Sequence, residues 1–250
     1  MPLKVIISGA SSGLGMALAR HYAALGATLG LIARNKEPLQ ALANELPSAF
    51  FYAADVRDVQ SMQSAARDFI QRHDCPDIVI ANAGISRGVL TEYAEDSEVF
   101  ESILATNVTG MVNTFQPFIV AMRTSGHGSL VGIASIAGYR GLPGGGAYSA
   151  SKAAAILYLE SLRVEMFGSG VSVITVCPGY IATPMTANNP FRMPFILTAE
   201  TVAKKIVRII KHKKLYAVIP WQMAIVARVL KLLPNFVYDR LFSIMPRKPR

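Results

Sequence analysis

The chain has 250 residues, 52% of them hydrophobic and 16% charged, enough to bury the core of one large α/β domain or two small ones. A net charge of +9 admits nucleic acid, an anionic membrane or a phosphorylated ligand as partner. No apolar run approaches the ~18 residues of a spanning helix, Met1–Lys4 leads directly into a VII run that leaves no room for a secretory leader, and Cys75 and Cys177 lack metal-ligand spacing, so reduced thiols in the cytoplasm are expected.

LKVIISGASSGLGMALARHYAALG reads as a buried strand, a turn containing Gly9, Gly13 and Gly15, and a helix. Glycines at such a junction let backbone N–H groups approach a phosphate, and the helix N-terminus adds partial positive charge. A strand-to-helix turn that simply needs small residues gives the same pattern. TLGLIARN is the next strand and ends at Arg34. A carboxylate at this tip would accept from the ribose 2′-OH of NAD, whereas a guanidinium grips the 2′-phosphate of NADP. NADP(H) is therefore favoured over NAD(H), with Arg34 as a solvated strand end the competing reading.

A helical pattern over Lys36–Leu46 precedes the strand AFFYAADV, which ends at Asp55, and Asp58 is placed to cap the helix after it. PDIVIANAG supplies a strand ending at Asn82, Ala83 and Gly84. Asp55 and Asn82 fall where parallel strands deliver side chains to a ligand, though both types are also common in turns. Residues 96–122 read as one long or two abutting helices, with Asn107 in the middle. Asn is a poor interior helix residue, so a break that serves a site is expected there, or else an amide tucked against a turn. GSLVGIAS and VSVITVCPG are two further buried strands. Short apolar strands alternating with helices imply an α/β fold with a doubly wound parallel sheet.

Between those two strands lies SIAGYRGLPGGGAYSASK, with Ser135 at a strand end and Tyr148 and Lys152 four positions apart at the start of a helix. Residues i and i+4 share a helix face. A cation about 4 Å from a phenol is worth roughly 4 kcal/mol at an effective dielectric near 20, enough to bring a pKa of about 10 down to about 7. Such a tyrosine can transfer protons near neutral pH. An isolated Tyr and Lys on a helix more often only snorkel, so the argument rests on the rest of the chain.

Taken together, these residues resemble the short-chain dehydrogenase/reductase family, over about residues 3–218. SGASSGLG at 8–15 is similar to its TGxxxGxG motif, with Ser8 for threonine, and ANAG at 81–84 resembles NNAG. Asn107, Ser135, Tyr148 and Lys152 fall in the order and spacing of its catalytic tetrad, and Pro178-Gly179 followed by Thr183 resembles its nicotinamide-side motif. The resemblance implies a Rossmann-type sheet of about seven strands and reversible carbonyl/alcohol hydride transfer. Tyr148 would be the proton donor, Ser135 would orient the same oxygen, and Lys152 would hold the nicotinamide ribose and lower the tyrosine pKa. Asn107 would hold a water joining Lys152 to solvent. For the cofactor it implies Gly9, Ser11, Ser12, Gly13, Leu14 and Gly15 around the phosphates and Asp55 and Val56 near the adenine. Asn82, Ala83 and Gly84 would lie along the adenosine-side ribose, and Pro178, Gly179, Ile181 and Thr183 at the nicotinamide end.

After Thr183, PMTANNPFRMPFILTAE reads as an apolar lid or as ordinary packing. The lysines of ETVAKKIVRIIKHKKL read as a solvated helix face. Residues 1–220 are then a dinucleotide-binding and catalytic domain, and 221–250 an extension of it with two amphipathic helices split at Pro234 and a basic tail. Apolar faces with cationic edges suit a lipid interface, peripheral to the inner membrane; packing onto the domain or a second subunit is the other reading, and a homo-oligomer is expected. The ending resembles those of family members acting on steroids and long-chain lipid ketones, which makes an NADPH-dependent reductase of a lipophilic ketone or aldehyde the leading expectation. A non-catalytic NADP(H) sensor and a soluble reductase of small polar carbonyls are the alternatives. No recognition motif accompanies the lysines, so nucleic acid is not expected.

Overall fold

The computed structural model describes residues 2–250. In chain order the first elements are β1 (Lys4–Ser8), α1 (Gly13–Ala24), β2 (Thr28–Ala33), α2 (Lys36–Glu45), β3 (Ala49–Ala53), α3 (Val59–His73) and β4 (Ile78–Ala81). Then come α4 (Asp96–Leu104), a π-turn (Ala105–Thr109), α5 (Gly110–Ser125), β5 (Gly128–Ile133), α6 (Gly146–Glu165) and β6 (Val171–Pro178). The chain ends with β7 (Ile181–Ala182), β8 (Leu197–Thr198), α7 (Ala199–Lys211), β9 (Tyr216–Ile219), α8 (Trp221–Leu232) and α9 (Asn235–Phe242).

Seven parallel strands make one sheet in the order β3-β2-β1-β4-β5-β6-β9. Strands buried on both faces need no polar side, which is why they read as continuous apolar runs. Within β1 the alternation of strand side chains sends Val5 and Ile7 to one face and Ile6 to the other. The first face packs against α1, α2 and α7 through Leu18, Tyr22, Leu39 and Ile206. The second packs against α3, α5 and α6 through Phe69, Phe115, Phe118 and Leu159. The expected cap forms, with Asp58 Oδ1 accepting from the Gln60 N–H at 3.0 Å.

Because β1 pairs with β2 on one side and β4 on the other, the strand order reverses between β1 and β4. Open α/β sheets bind ligands beyond the carboxyl ends of their strands at such a reversal. The C-terminal extension lies against the domain: Met223 and Ala227 of α8 and Tyr238 of α9 are buried. Arg140, in the loop before α6, fastens it. Its Nη1 donates to the carbonyls of Leu230 at 3.0 Å and Leu233 at 2.9 Å, and its Nη2 donates to Asn235 Oδ1 at 2.9 Å. A guanidinium there satisfies carbonyls that the end of α8 leaves without intrahelical partners. Among the described residues no helix is long and apolar enough to cross a membrane.

Candidate active site

At the strand-order reversal the glycine turn and the ends of β4, β5 and β6 enclose a cavity of about 370 Å³. Its turn is built for close backbone approach. A Cβ on Gly9 would lie 2.7 Å from Ala83 Cα, and one on Gly15 only 2.1 Å from the Gly9 carbonyl oxygen, so neither position admits a side chain. Asn82 stitches the turn to β4, its Nδ2 donating to the carbonyls of Ser8 at 3.0 Å and Gly9 at 3.2 Å. Ser8 completes the seam, its buried Oγ accepting from the N–H groups of Asn82 at 3.2 Å and Ala83 at 3.3 Å. Arg34 and Asn35 form the wall at the end of β2, and Arg34 makes none of the ion pairs among the described residues.

Ser135, Tyr148 and Lys152 meet at the other end of this cavity. Ser135 caps a short 3-10 turn (Ile136–Gly138), its Oγ accepting from the Ala137 N–H at 3.1 Å. The same hydroxyl faces the Tyr148 phenol, where it partly offsets the burial that pushes the phenol pKa above its ordinary value. Lys152 is 4% exposed, and burial lowers its pKa to about 8. Its Nζ lies 5.7 Å from the centroid of the Tyr148 ring and donates to the Ile133 carbonyl at 2.8 Å, leaving further donors on the ammonium.

Asn107 is held just behind. Its Oδ1 accepts from the Ile85 N–H at 2.8 Å, and its Nδ2 donates to the Ile85 carbonyl at 3.0 Å and to Ser151 Oγ at 2.9 Å. A Cβ on Gly84 would sit 3.2 Å from Asn107 Oδ1 and 3.7 Å from Lys152 Nζ, so the glycine keeps open the space between the two.

The family model for short chain dehydrogenases matches residues 4–192. The chain belongs to the short-chain dehydrogenase family. An uncharacterized oxidoreductase of Myxococcus xanthus is 36% identical over 238 residues, covering 94% of each chain. The ketoacyl reductase HetN of a Nostoc species is 33% identical over 218 residues, 84% of this chain and 75% of that one. The solved structure of an actinorhodin polyketide ketoreductase with NADPH superposes with a TM-score of 0.79 at 25% identity, covering 87% of this chain and 95% of that one. The protein is thus an NAD(P)-dependent oxidoreductase with the family's seven-stranded Rossmann-type sheet.

Of the residues that the sequence suggests for this short-chain dehydrogenase, Gly9, Ser11, Ser12, Gly13, Leu14, Arg34, Val56, Asn82, Ala83 and Gly84 line the cavity. So do Ser135, Tyr148, Lys152, Pro178, Gly179, Ile181 and Thr183. Gly15, Asp55 and Asn107 do not. Gly15 packs against Gly9, Asn107 stands behind the wall, and the Asp55 carboxylate is taken up by Arg57, whose Nη2 donates to it at 2.7 Å. The break expected at Asn107 is the π-turn.

The balance at the phenol differs from the sequence expectation: Tyr148 is raised by burial rather than lowered by Lys152. Helical spacing sets proximity, whereas the desolvation that wins here comes from packing of loops distant in sequence. Thr106 was not foreseen. It lines the cavity, and its buried Oγ1 has no hydrogen-bond partner among the described residues. Its only sequence signal is adjacency to Asn107.

The glycine cradle and the cavity wall that runs from Arg34 past Thr106 to Tyr148 fit a dinucleotide cofactor.

Proposed function

We propose that the protein is an NADPH-dependent reductase of a lipophilic ketone or aldehyde. The observation that carries this reading is the convergence of Ser135, Tyr148 and Lys152 on the cavity that the glycine turn opens. When bound, NADPH supplies the hydride. Ser135 Oγ and the Tyr148 hydroxyl donate to the substrate carbonyl oxygen and stabilise the charge that develops on it. Tyr148 then gives that oxygen its proton. The Lys152 ammonium offsets the phenolate that forms, and its remaining N–H groups hold the nicotinamide ribose hydroxyls. Water in the space beside Gly84, between Asn107 and Lys152, returns a proton from solvent.

Arg34 supports NADPH, since a guanidinium at the end of β2 that belongs to none of the ion pairs among the described residues matches a 2′-phosphate. Two features support an apolar substrate. Pro184, Met185 and Thr186 of the loop after β7 form part of the cavity wall, which supports reading this loop as an apolar lid. Trp221, Ile225, Val229 and Leu232 form one outward stripe of α8, at exposures of 67%, 53%, 53% and 82%, with Arg228 and Lys231 beside it. Such a face suits the surface of an anionic bilayer reached from the cytoplasm. Exposed Val120 on α5, Leu157 and Val164 on α6 and Phe167 just after it support a homo-oligomer. Residues 221–250 act as an extension of the catalytic domain rather than as a unit of their own.

The test is NADPH oxidation with a panel of ketones and aldehydes, by wild type and by Tyr148→Phe. The variant should lose 10²-fold or more in kcat/KM, as expected for removal of a positioned acid. Equal rates in the two proteins would end the catalytic assignment.

A further inference from the structure

The last residues fold back onto the domain. The Gly88 N–H donates to the Pro249 carbonyl at 2.8 Å, and a Cβ on Gly88 would lie 2.3 Å from the Lys248 carbonyl oxygen, so the chain can seat only against glycine. Arg250 is the clasp. Its Nε donates to Asp96 Oδ2 and its Nη2 to Glu95 Oε1, both at 2.9 Å, and its guanidinium lies 3.7 Å over the Tyr93 ring. Asp96 also accepts from the Leu90 N–H at 2.8 Å, so one buried carboxylate fixes both the tail and the loop beneath it. On its other flank the tail touches the loop before α6, where a Cβ on Gly144 would lie 3.0 Å from Arg247 Cβ.

This path brings Lys248 to the reacting group. Its Nζ lies 6.0 Å from the centroid of the Tyr148 ring and donates to Ser86 Oγ at 2.8 Å. It belongs to none of the ion pairs among the described residues. The cation is partly buried, and burial lowers its pKa. An ammonium has three donors, and a half-desolvated one without a counter-ion is costly until an anion arrives. Lys248 is not part of the wall around the glycine turn; it approaches Tyr148 from the loops at 85–95 and 139–145.

We propose that residues 246–250 form a strap over the substrate side of the cleft, and that Lys248 recognises an anionic oxygen group, carboxylate or phosphate, carried by the substrate close to its carbonyl. The lipophilic carbonyl compound of the reductase reading is then an amphiphile with its charged end at Lys248. The inference rests on that reading for its substrate.

A binding measurement that needs no turnover tests it. Calorimetric titration compares a medium-chain carboxylate, its methyl ester and a phosphomonoester of equal chain length, against wild type, Lys248→Met and Lys248→Arg. Wild type should bind one of the anions at least tenfold tighter than the ester, and the tighter of the two names the group. Lys248→Met should abolish the preference and Lys248→Arg restore most of it. In turnover, the kcat/KM ratio of an oxo acid to its methyl ester should fall at least tenfold in Lys248→Met, through KM. An anion preference absent from wild type, or intact in Lys248→Met, would overturn the proposal. If no carbonyl compound is reduced, the reductase reading fails, and the titration still decides the role of Lys248.

Discussion

Replacing Lys152 by methionine should stabilise the fold while abolishing activity. In the native protein this ammonium is 4% exposed, and burial lowers its pKa from 10.5 to about 8. At neutral pH the protein therefore folds around a charged group at a cost of about 3 kcal/mol, from 1.36 kcal/mol per pH unit. Methionine keeps the apolar stem and removes that cost. Against this stands the bond from Nζ to the Ile133 carbonyl, whose loss leaves a buried acceptor unsatisfied at roughly 1–3 kcal/mol. The net is a gain of up to about 2 kcal/mol, or several degrees in Tm for a domain of this size.

The pH dependence identifies the cause. Between about 8 and 10.5 the unfolded chain binds the proton and the folded one does not, so wild-type stability rises through this window and the advantage of Lys152→Met shrinks. Thermal or urea unfolding of both proteins at pH 7 and pH 10, together with an NADPH-oxidation assay, checks each part. A variant less stable than wild type at pH 7, or a difference that does not change with pH, would refute the reasoning.

Arg34→Gln should raise KM for NADPH by 10- to 100-fold and leave NADH little changed, since one charge-assisted phosphate contact is worth roughly 1.5–3 kcal/mol. Steady-state kinetics with both nucleotides will show it. For wild type, kcat/KM for NADPH should fall above pH 8 as Lys152 loses its charge, because burial keeps the Tyr148 phenol protonated beyond its ordinary range. A first alkaline limb near 10 would contradict this order of titration. Leu232→Asp with Trp221→Asp should reduce co-sedimentation with anionic vesicles and leave thermal stability unaffected, both side chains being largely exposed. Arg250→Gln should speed hydrogen exchange at residues 85–96. The Arg250 guanidinium holds the Asp96 carboxyl below its usual range, so the clasp persists at neutral pH and is lost as pH falls through that lowered value.

The sheet was legible because parallel strands covered on both faces must be largely apolar, and the stretches ending at Ser8, Ala33, Ala81 and Pro178 are. The cavity was legible because strand ends and glycine turns have fixed places in such a sheet. The Asn107 irregularity was readable as a break, though its form as a π-turn depends on Ile85 and Ser151, which hold the amide from elsewhere. What the sequence hid was tertiary. The spacing of Tyr148 and Lys152 carries no information on how deeply loops bury them, and that burial sets the direction of both pKa values. The carboxylate of Asp55 is directed away by Arg57, two positions on. The basic ending reads equally as a lipid-seeking tail or as a segment packed onto the domain, and in the fold Lys248 and Arg250 turn back to partners more than 150 residues upstream.

The anchorage at Arg140 joins the C-terminal helices to the loop before α6. The guanidinium that grips the exit of α8 grows from the same short loop that carries Ser135 at its start and delivers Tyr148 at its close. The last two helices are therefore fastened, through a single side chain whose hydrogen bonds end on residues 230–235, to the stretch of backbone that separates Ser135 from Tyr148.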